Sequence, residues 1–150
     1  LVYVKRTADI STSGLNQRVL HMMLERGTLS GQLARNNSEL LRRRDVALAA
    51  AKRFLPPGTR VNMPQGGITL WAELPHSGPT AAELYISAVH AGVAYAIGNV
   101  FYTNNGGAYK IRLNFGANTN DQIEEGFRRL GRAWRELVYD YADMEKSHLL

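Results

Sequence analysis

Residues 109–116 alternate apolar and polar side chains. Tyr109, Ile111, Leu113 and Phe115 face one way and Lys110, Arg112 and Asn114 the other. This period of two predicts a half-buried strand with one arginine at its centre and Gly116 at its exit. Further on the period changes. Ile123, Phe127, Leu130, Trp134, Leu137 and Tyr141 form one continuous helical stripe. Thr119 and Gln122 supply a capping box at its start, so a helix covering a sheet is predicted from about residue 119. Beyond Asp143 the polar tail is expected to fray.

Upstream, Leu15, Val19, Met22 and Met23 recur at helical spacing, predicting a helix over 13–26, capped by Ser11, Thr12 or Ser13 and stopped by Gly27. Residues 1–11 are too short a stretch to assign. A second, long helix is predicted from Thr28 or Ser30 to about Phe54, ended by Pro56-Pro57-Gly58. Leu33, Leu40, Leu41, Ala47, Leu48, Ala51 and Phe54 would pack one of its sides against a sheet. Two alternating runs, 60–63 and 68–74, flank Pro64-Gln65-Gly66-Gly67 and read as a hairpin with Ile68, Leu70, Ala72 and Leu74 on one face. Thr80 and Glu83 make another capping box, for a helix reaching Ala91 and ended by Gly92. Residues 93–97 read as a short buried strand closed by Gly98. The run 103–107 is a polar turn or loop.

The resulting order is helix, long helix, hairpin, helix, strand, strand, helix. That is an α+β fold: a small, mostly antiparallel sheet of about four strands covered by helices. Its 150 residues fit a single domain, with lead-in helices over 1–27 and a core over 28–145. The chain opens without an initiator methionine and reads as a piece of a longer polypeptide.

Composition narrows the function classes. There is no cysteine, which excludes a disulfide framework and a thiolate metal site and fits a reducing, cytoplasmic setting. No apolar run approaches a membrane span, so a soluble protein is expected. The net charge of +5 invites a nucleic-acid reading. Against it, Arg128, Arg129, Arg132 and Arg135 are interleaved with Glu124, Glu125 and Glu136. Glu124 with Arg128, and Glu125 with Arg129, are spaced as i,i+4 pairs on a solvated helix face.

The chemistry-bearing signals are few. Arg112 is either a solvated surface arginine or a planar fork for a carboxylate or phosphate. Gly66 and Gly67 satisfy a tight turn, or let a backbone approach a ligand closely. His21, His76, His90 and His148 have no partner at metal-ligand spacing, and no metal is assigned. There is no phosphate-binding glycine loop and no set of nucleophile, base and orienter.

Three stretches together resemble a known family: Arg42-Arg43-Arg44-Asp45 in the long helix, residues 64–71, and Ile111-Arg112-Leu113-Asn114-Phe115 ahead of Ile123-Glu124-Glu125-Gly126. In order and separation they look like the C-terminal small domain of fold-type I, PLP-dependent aminotransferases. The wording is most similar to the MocR branch of GntR-family transcriptional regulators. The resemblance implies that Arg112 holds the carboxylate of an amino-acid ligand. It also implies that Gly66 and Gly67 lie at the active-site mouth, that residues 98–101 face the cofactor, and that Asn114 supports Arg112.

The same resemblance implies PLP as cofactor of a full-length, homodimeric parent, held on a lysine that precedes this domain. None of Lys5, Lys52, Lys110 and Lys146 stands in the expected setting, so this chain alone is expected not to be catalytic. Two functions follow. One is the effector-binding part of a regulator that binds PLP and an amino acid and contacts DNA through an upstream domain. The alternative is the small domain of a free-standing aminotransferase that moves an amino group between an amino acid and a 2-oxo acid.

Overall fold

The structure, a computed structural model, describes residues 2–9, 11–104 and 106–147, with side chains in the last helix described as far as residue 140. The chain forms two compact units, Leu1–Glu39 and Leu40–Leu150. The division falls inside the long helix rather than ahead of it at residue 28.

The first unit is helical. Its opening residues, left unassigned above, form α1 (Val2–Ala8), in which Lys5 pairs with Asp9 at 2.7 Å. α2 (Gly14–Glu25) starts where Ser13 accepts a hydrogen bond from the Asn16 amide, and ends at Arg26 before Gly27. α3 (Thr28–Phe54) begins here and continues into the second unit. The expected apolar stripe is present in α2 but has no core beneath it. Leu15, Val19 and Met22 are all exposed.

The second unit holds the sheet. Strands β1 (Arg60–Val61), β2 (Thr69–Glu73), β3 (Ala96–Ile97) and β4 (Lys110–Asn114) lie in the order β1-β2-β4-β3, every neighbouring pair antiparallel. The fold class is therefore α+β, as the patterning predicts. α4 (Ala81–His90) carries the expected capping box, with Thr80 and Glu83 bonded reciprocally. α5 (Asn120–Ser147) begins at the Thr119–Gln122 cap and stays helical past Asp143, where fraying was expected.

One sheet face is the core. Leu70, Ala72, Leu74, Ile111 and Phe115 are buried against Ala47, Ala50 and Ala51 of α3, Leu84 and Ala88 of α4, and Ile123, Phe127, Leu130 and Trp134 of α5. Removing these side chains from water is what holds helices and sheet together, at about 1.5–3 kcal/mol for each large one. Tyr141 of the expected stripe lies outside the described side chains. The long helix buries less than its pattern predicts: in its C-terminal half Ala47, Ala50 and Ala51 are buried and Leu48 and Phe54 pack partly against the core, while Leu33 and Leu41 are exposed. Ile68 is also exposed, at the hairpin end of the sheet, although its carbonyl accepts from the Phe115 amide at 3.0 Å.

Two further expectations change. Only Ala96 and Ile97 of the run 93–97 are paired with β4, because the chain turns at once into a 3₁₀ turn over Gly98–Phe101. On α5, Glu125 accepts from both Arg128 and Arg129, while Glu124 pairs with Arg53 of α3 at 2.9 Å. The chain brings Arg53 close enough to take Glu124, so that pairing is set by packing rather than by helical spacing.

Candidate functional site

The sheet face turned away from the helices is polar and open. On it the register places Thr69 opposite Asn114, Trp71 opposite Arg112, and Glu73 opposite Lys110, with Arg60 beside Glu73 and Ala96 on the far side of Arg112. Arg112 is exposed and leaves the middle of the central strand pair. Its position is set from behind by Ile111, which is fully buried.

The guanidinium carbon of Arg112 lies 4.7 Å from the centre of the Phe101 ring. Phe101 meets Trp71 edge to face, with ring centres 5.4 Å apart. Stacking on an aromatic face steadies a guanidinium without using its hydrogen-bond donors. Among the described residues no carboxylate lies within ion-pair distance of Arg112. The site therefore offers a fixed, planar cation with free donors, the geometry that receives a carboxylate through two parallel bonds.

A second cation stands beside it. The ammonium of Lys110 donates to the Tyr102 hydroxyl at 2.8 Å and lies 4.8 Å from the centre of that ring. The bond to Tyr102 raises the pKa of Lys110, so the group stays an ammonium. Glu73, its cross-strand neighbour, is occupied by Arg60 at 2.9 Å and His76 at 3.0 Å. Those two hydrogen bonds lower the pKa of its carboxyl.

The other expected site residues are placed as follows. Gly66 and Gly67 form the exposed tip of the β1–β2 hairpin, at the end of the sheet where β4 leaves at Gly116. The side-chain oxygen of Asn114 accepts from the Gly116 amide at 2.8 Å, so Asn114 fixes the strand exit and not the guanidinium. Residues 98–101 do reach the site, through Phe101. Sequence reasoning missed Trp71, Tyr102 and Lys110 as its walls. One signal was available: with Leu70, Ala72 and Leu74 on the core face, Trp71 is an aromatic residue on a polar face.

A covalent cofactor anchor needs a free amine, and two of the described lysines are engaged. Lys110 is held as an ammonium by Tyr102, and Lys5 is bound to Asp9 and Thr12. Lys52 is exposed on α3. Among the described residues no cluster of His, Cys, Asp and Glu is able to hold a metal ion, and no helix is long and apolar enough to cross a membrane. A cavity of about 250 Å³ lies on the helix-covered side, lined by Leu70, Leu113, Phe115 and Phe127 among others. None of its lining side chains is ionisable, and Asn114 is among them.

No family model matches the chain. Known proteins do. It is 36% identical over 138 residues to a 2-aminoadipate transaminase of Thermus thermophilus, a match over 92% of this chain and 34% of that protein. It is 28% identical over 135 residues to an uncharacterized HTH-type transcriptional regulator of Bacillus subtilis, over 90% of this chain and 27% of the regulator. Among solved structures, it superposes with a TM-score of 0.83 on an α-aminoadipate aminotransferase of Thermus thermophilus complexed with N-(5′-phosphopyridoxyl)-L-leucine, at 35% identity. That superposition covers 92% of this chain and 35% of that one. The chain thus spans about a third of the length of the curated relatives it matches. Its fold is that of an aminotransferase-type small domain, and its relatives include PLP-dependent aminotransferases.

Proposed function

We propose that this chain is the carboxylate-binding small domain of a PLP-dependent aminotransferase that moves an amino group between an amino acid and a 2-oxo acid. The observation that carries the reading is Arg112. It is fixed on Phe101, free of any described carboxylate, and turned to the one sheet face that no helix covers. A buried arginine with an acidic partner would be structural; an exposed, braced one without a partner is suited to an arriving anion.

The residues here fit the substrate's carboxylate and not the covalent anchoring of the cofactor. PLP, when bound, supplies the electron sink for chemistry at the amino-bearing carbon. What this chain contributes is orientation. Arg112 holds the carboxylate through two bonds, and Phe101 and Trp71 keep the guanidinium plane from rotating. The substrate's amino-bearing carbon is then presented in one pose. The aromatic rings also displace water from the back of the guanidinium, which strengthens the pair.

A second reading has one specific observation behind it, the match to the Bacillus subtilis regulator. There the same arginine would hold an amino-acid effector, and the parent would be a DNA-binding protein of the MocR type. The match to the transaminase is longer and closer, so the enzyme reading is preferred.

Both readings are tested by Arg112→Ala in the full-length protein, following the cofactor's absorbance as amino acids are added. The expected result is retained PLP with amino-acid affinity reduced by about 1.5–3 kcal/mol, the contribution of a charged bidentate pair. Unchanged affinity would refute the role of Arg112. Conversion of the cofactor to its amine form at the end of the titration separates the enzyme from the regulator.

A further inference from the structure

Arg112 is one of two cation–ring pairs on the open face, and the role proposed above uses only that one. Lys110 lies two residues earlier on β4, so its side chain leaves the same face about 6.7 Å along the strand. The two seats are built alike. Arg112 rests on Phe101 and Lys110 on Tyr102, and Trp71 lies against both rings, with centres at 5.4 and 6.4 Å.

The charge balance of this face is unfilled. Its strand residues include the cations Arg60, Lys110 and Arg112 but a single carboxylate, Glu73, which is already bound by Arg60 and His76. Tyr102 adds a donor. Its oxygen accepts from the Lys110 ammonium, leaving its own O–H proton free for another acceptor. An ammonium and a hydroxyl with spare donors sit next to a guanidinium with spare donors.

We propose that Lys110, assisted by Tyr102, receives the second carboxylate of a dicarboxylic amino acid or 2-oxo acid whose first carboxylate is held by Arg112. The inference rests on the carboxylate role of Arg112 and makes Lys110 the residue that sets substrate class. The spacing agrees. The terminal carbons of a five- or six-carbon dicarboxylate lie about 5–6 Å apart when extended, from four or five bonds of about 1.5 Å, comparable with the roughly 6.7 Å of strand between the Lys110 and Arg112 backbones. A monocarboxylate engages one of the two cations only.

The test is a titration of this 150-residue chain at low ionic strength with glutarate and adipate against butyrate and hexanoate. Trp71 fluorescence reports on the face, and buried Trp134 gives a constant background. The expected result is about tenfold tighter binding of the diacids, the effect of one added charge-assisted bond. Lys110→Met should reduce diacid affinity to that of the monoacids, and a cooperative thermal melt by circular dichroism shows that the variant is folded. Lys110→Arg should restore the preference.

Equal binding of diacids and monoacids by the unaltered chain, or a preference that survives Lys110→Met, overturns the role of Lys110. Arg112→Ala separates this failure from that of the underlying reading. Loss of all four ligands in Arg112→Ala, with no effect of Lys110→Met, removes only Lys110. Monoacid binding that persists in Arg112→Ala removes the carboxylate role of Arg112, and this inference with it.

Discussion

Helix α5 contains two glycines, Gly126 and Gly131, whose replacement by alanine should act in opposite directions. Both are interior helical positions, so each substitution gains about 1 kcal/mol of helix propensity. At Gly126 an added Cβ meets nothing within 4 Å, and the gain stands alone. At Gly131 the added Cβ overlaps the carbonyl oxygen of Phe54, and lies 2.9 Å from its carbonyl carbon. Ordinary carbon contacts lie at about 3.5–4.0 Å. The end of α3 would have to move by roughly 1 Å, and a backbone carbonyl has no rotamer by which to step aside.

Overpacking of this kind costs about 1–3 kcal/mol. Set against the same propensity gain, Gly131→Ala should be neutral to about 2 kcal/mol destabilised, while Gly126→Ala should be about 0.5–1 kcal/mol more stable. Propensity cancels between the two variants, and their difference isolates the steric contact. Thermal unfolding by circular dichroism reads it directly. At this chain length 1 kcal/mol corresponds to about 2–4 °C, so the two midpoints should differ by several degrees. Equal midpoints, or a Gly131→Ala variant as stable as Gly126→Ala, would mean that α3 and α5 do not cross at Gly131.

Two further outcomes follow from local contacts. Thr80→Ala removes the hydroxyl that caps α4 and also pairs with Glu83, and should cost about 0.5–2 kcal/mol in urea unfolding, whereas Thr80→Ser should cost little. Glu125, bonded by Arg128 and Arg129, titrates at about 2, below the ordinary glutamate range. Because its folded-state pKa is depressed, its contribution is complete above that range and is lost as the pH falls toward 2. The difference in melting temperature between the protein and Glu125→Gln should therefore shrink between about pH 4.5 and pH 2; a constant difference would mean that the charge contributes nothing.

Helix ends were legible because caps are local chemistry. Ser13, Thr80 and Thr119 each bond an amide within three residues, and no distant part of the chain is needed to place them. The alternation around Arg112 was equally legible, since one strand carries its own period and the buried Ile111 confirms its face. What surrounds Arg112 was not. Phe101 arrives from a 3₁₀ turn with no periodicity, and Trp71 from a strand whose partner is set by pairing across some forty residues of sequence. Charge pairing failed for a similar reason: i,i+4 spacing assigns Glu124 to Arg128, but Arg53 from another helix competes successfully. For α3 the apolar pattern overstated burial, because a pattern reports which side is apolar and not how far along the helix the sheet extends. The core meets α3 over residues 46–54, in its C-terminal half.

The precision of the open face is inherited from close contacts behind it. A Cβ at Gly98 would lie 2.5 Å from the Gly107 oxygen and 2.7 Å from the Lys110 Cβ, and one at Gly107 would lie 2.8 Å from the Gly98 carbonyl. Backbone therefore packs on backbone where the chain folds back between the 3₁₀ turn and β4, and the Gly107 oxygen accepts from the Lys110 amide at 2.9 Å. That junction fixes Phe101 and Tyr102 against the strand from which Arg112 and Lys110 project. The two rings are thus placed by the loop, and the two cations by the sheet. A face assembled this way is set before any ligand arrives, so binding would not also have to order its own receptor. The strand fixes where Lys110 and Arg112 leave the sheet, and the rings fix which way each side chain lies.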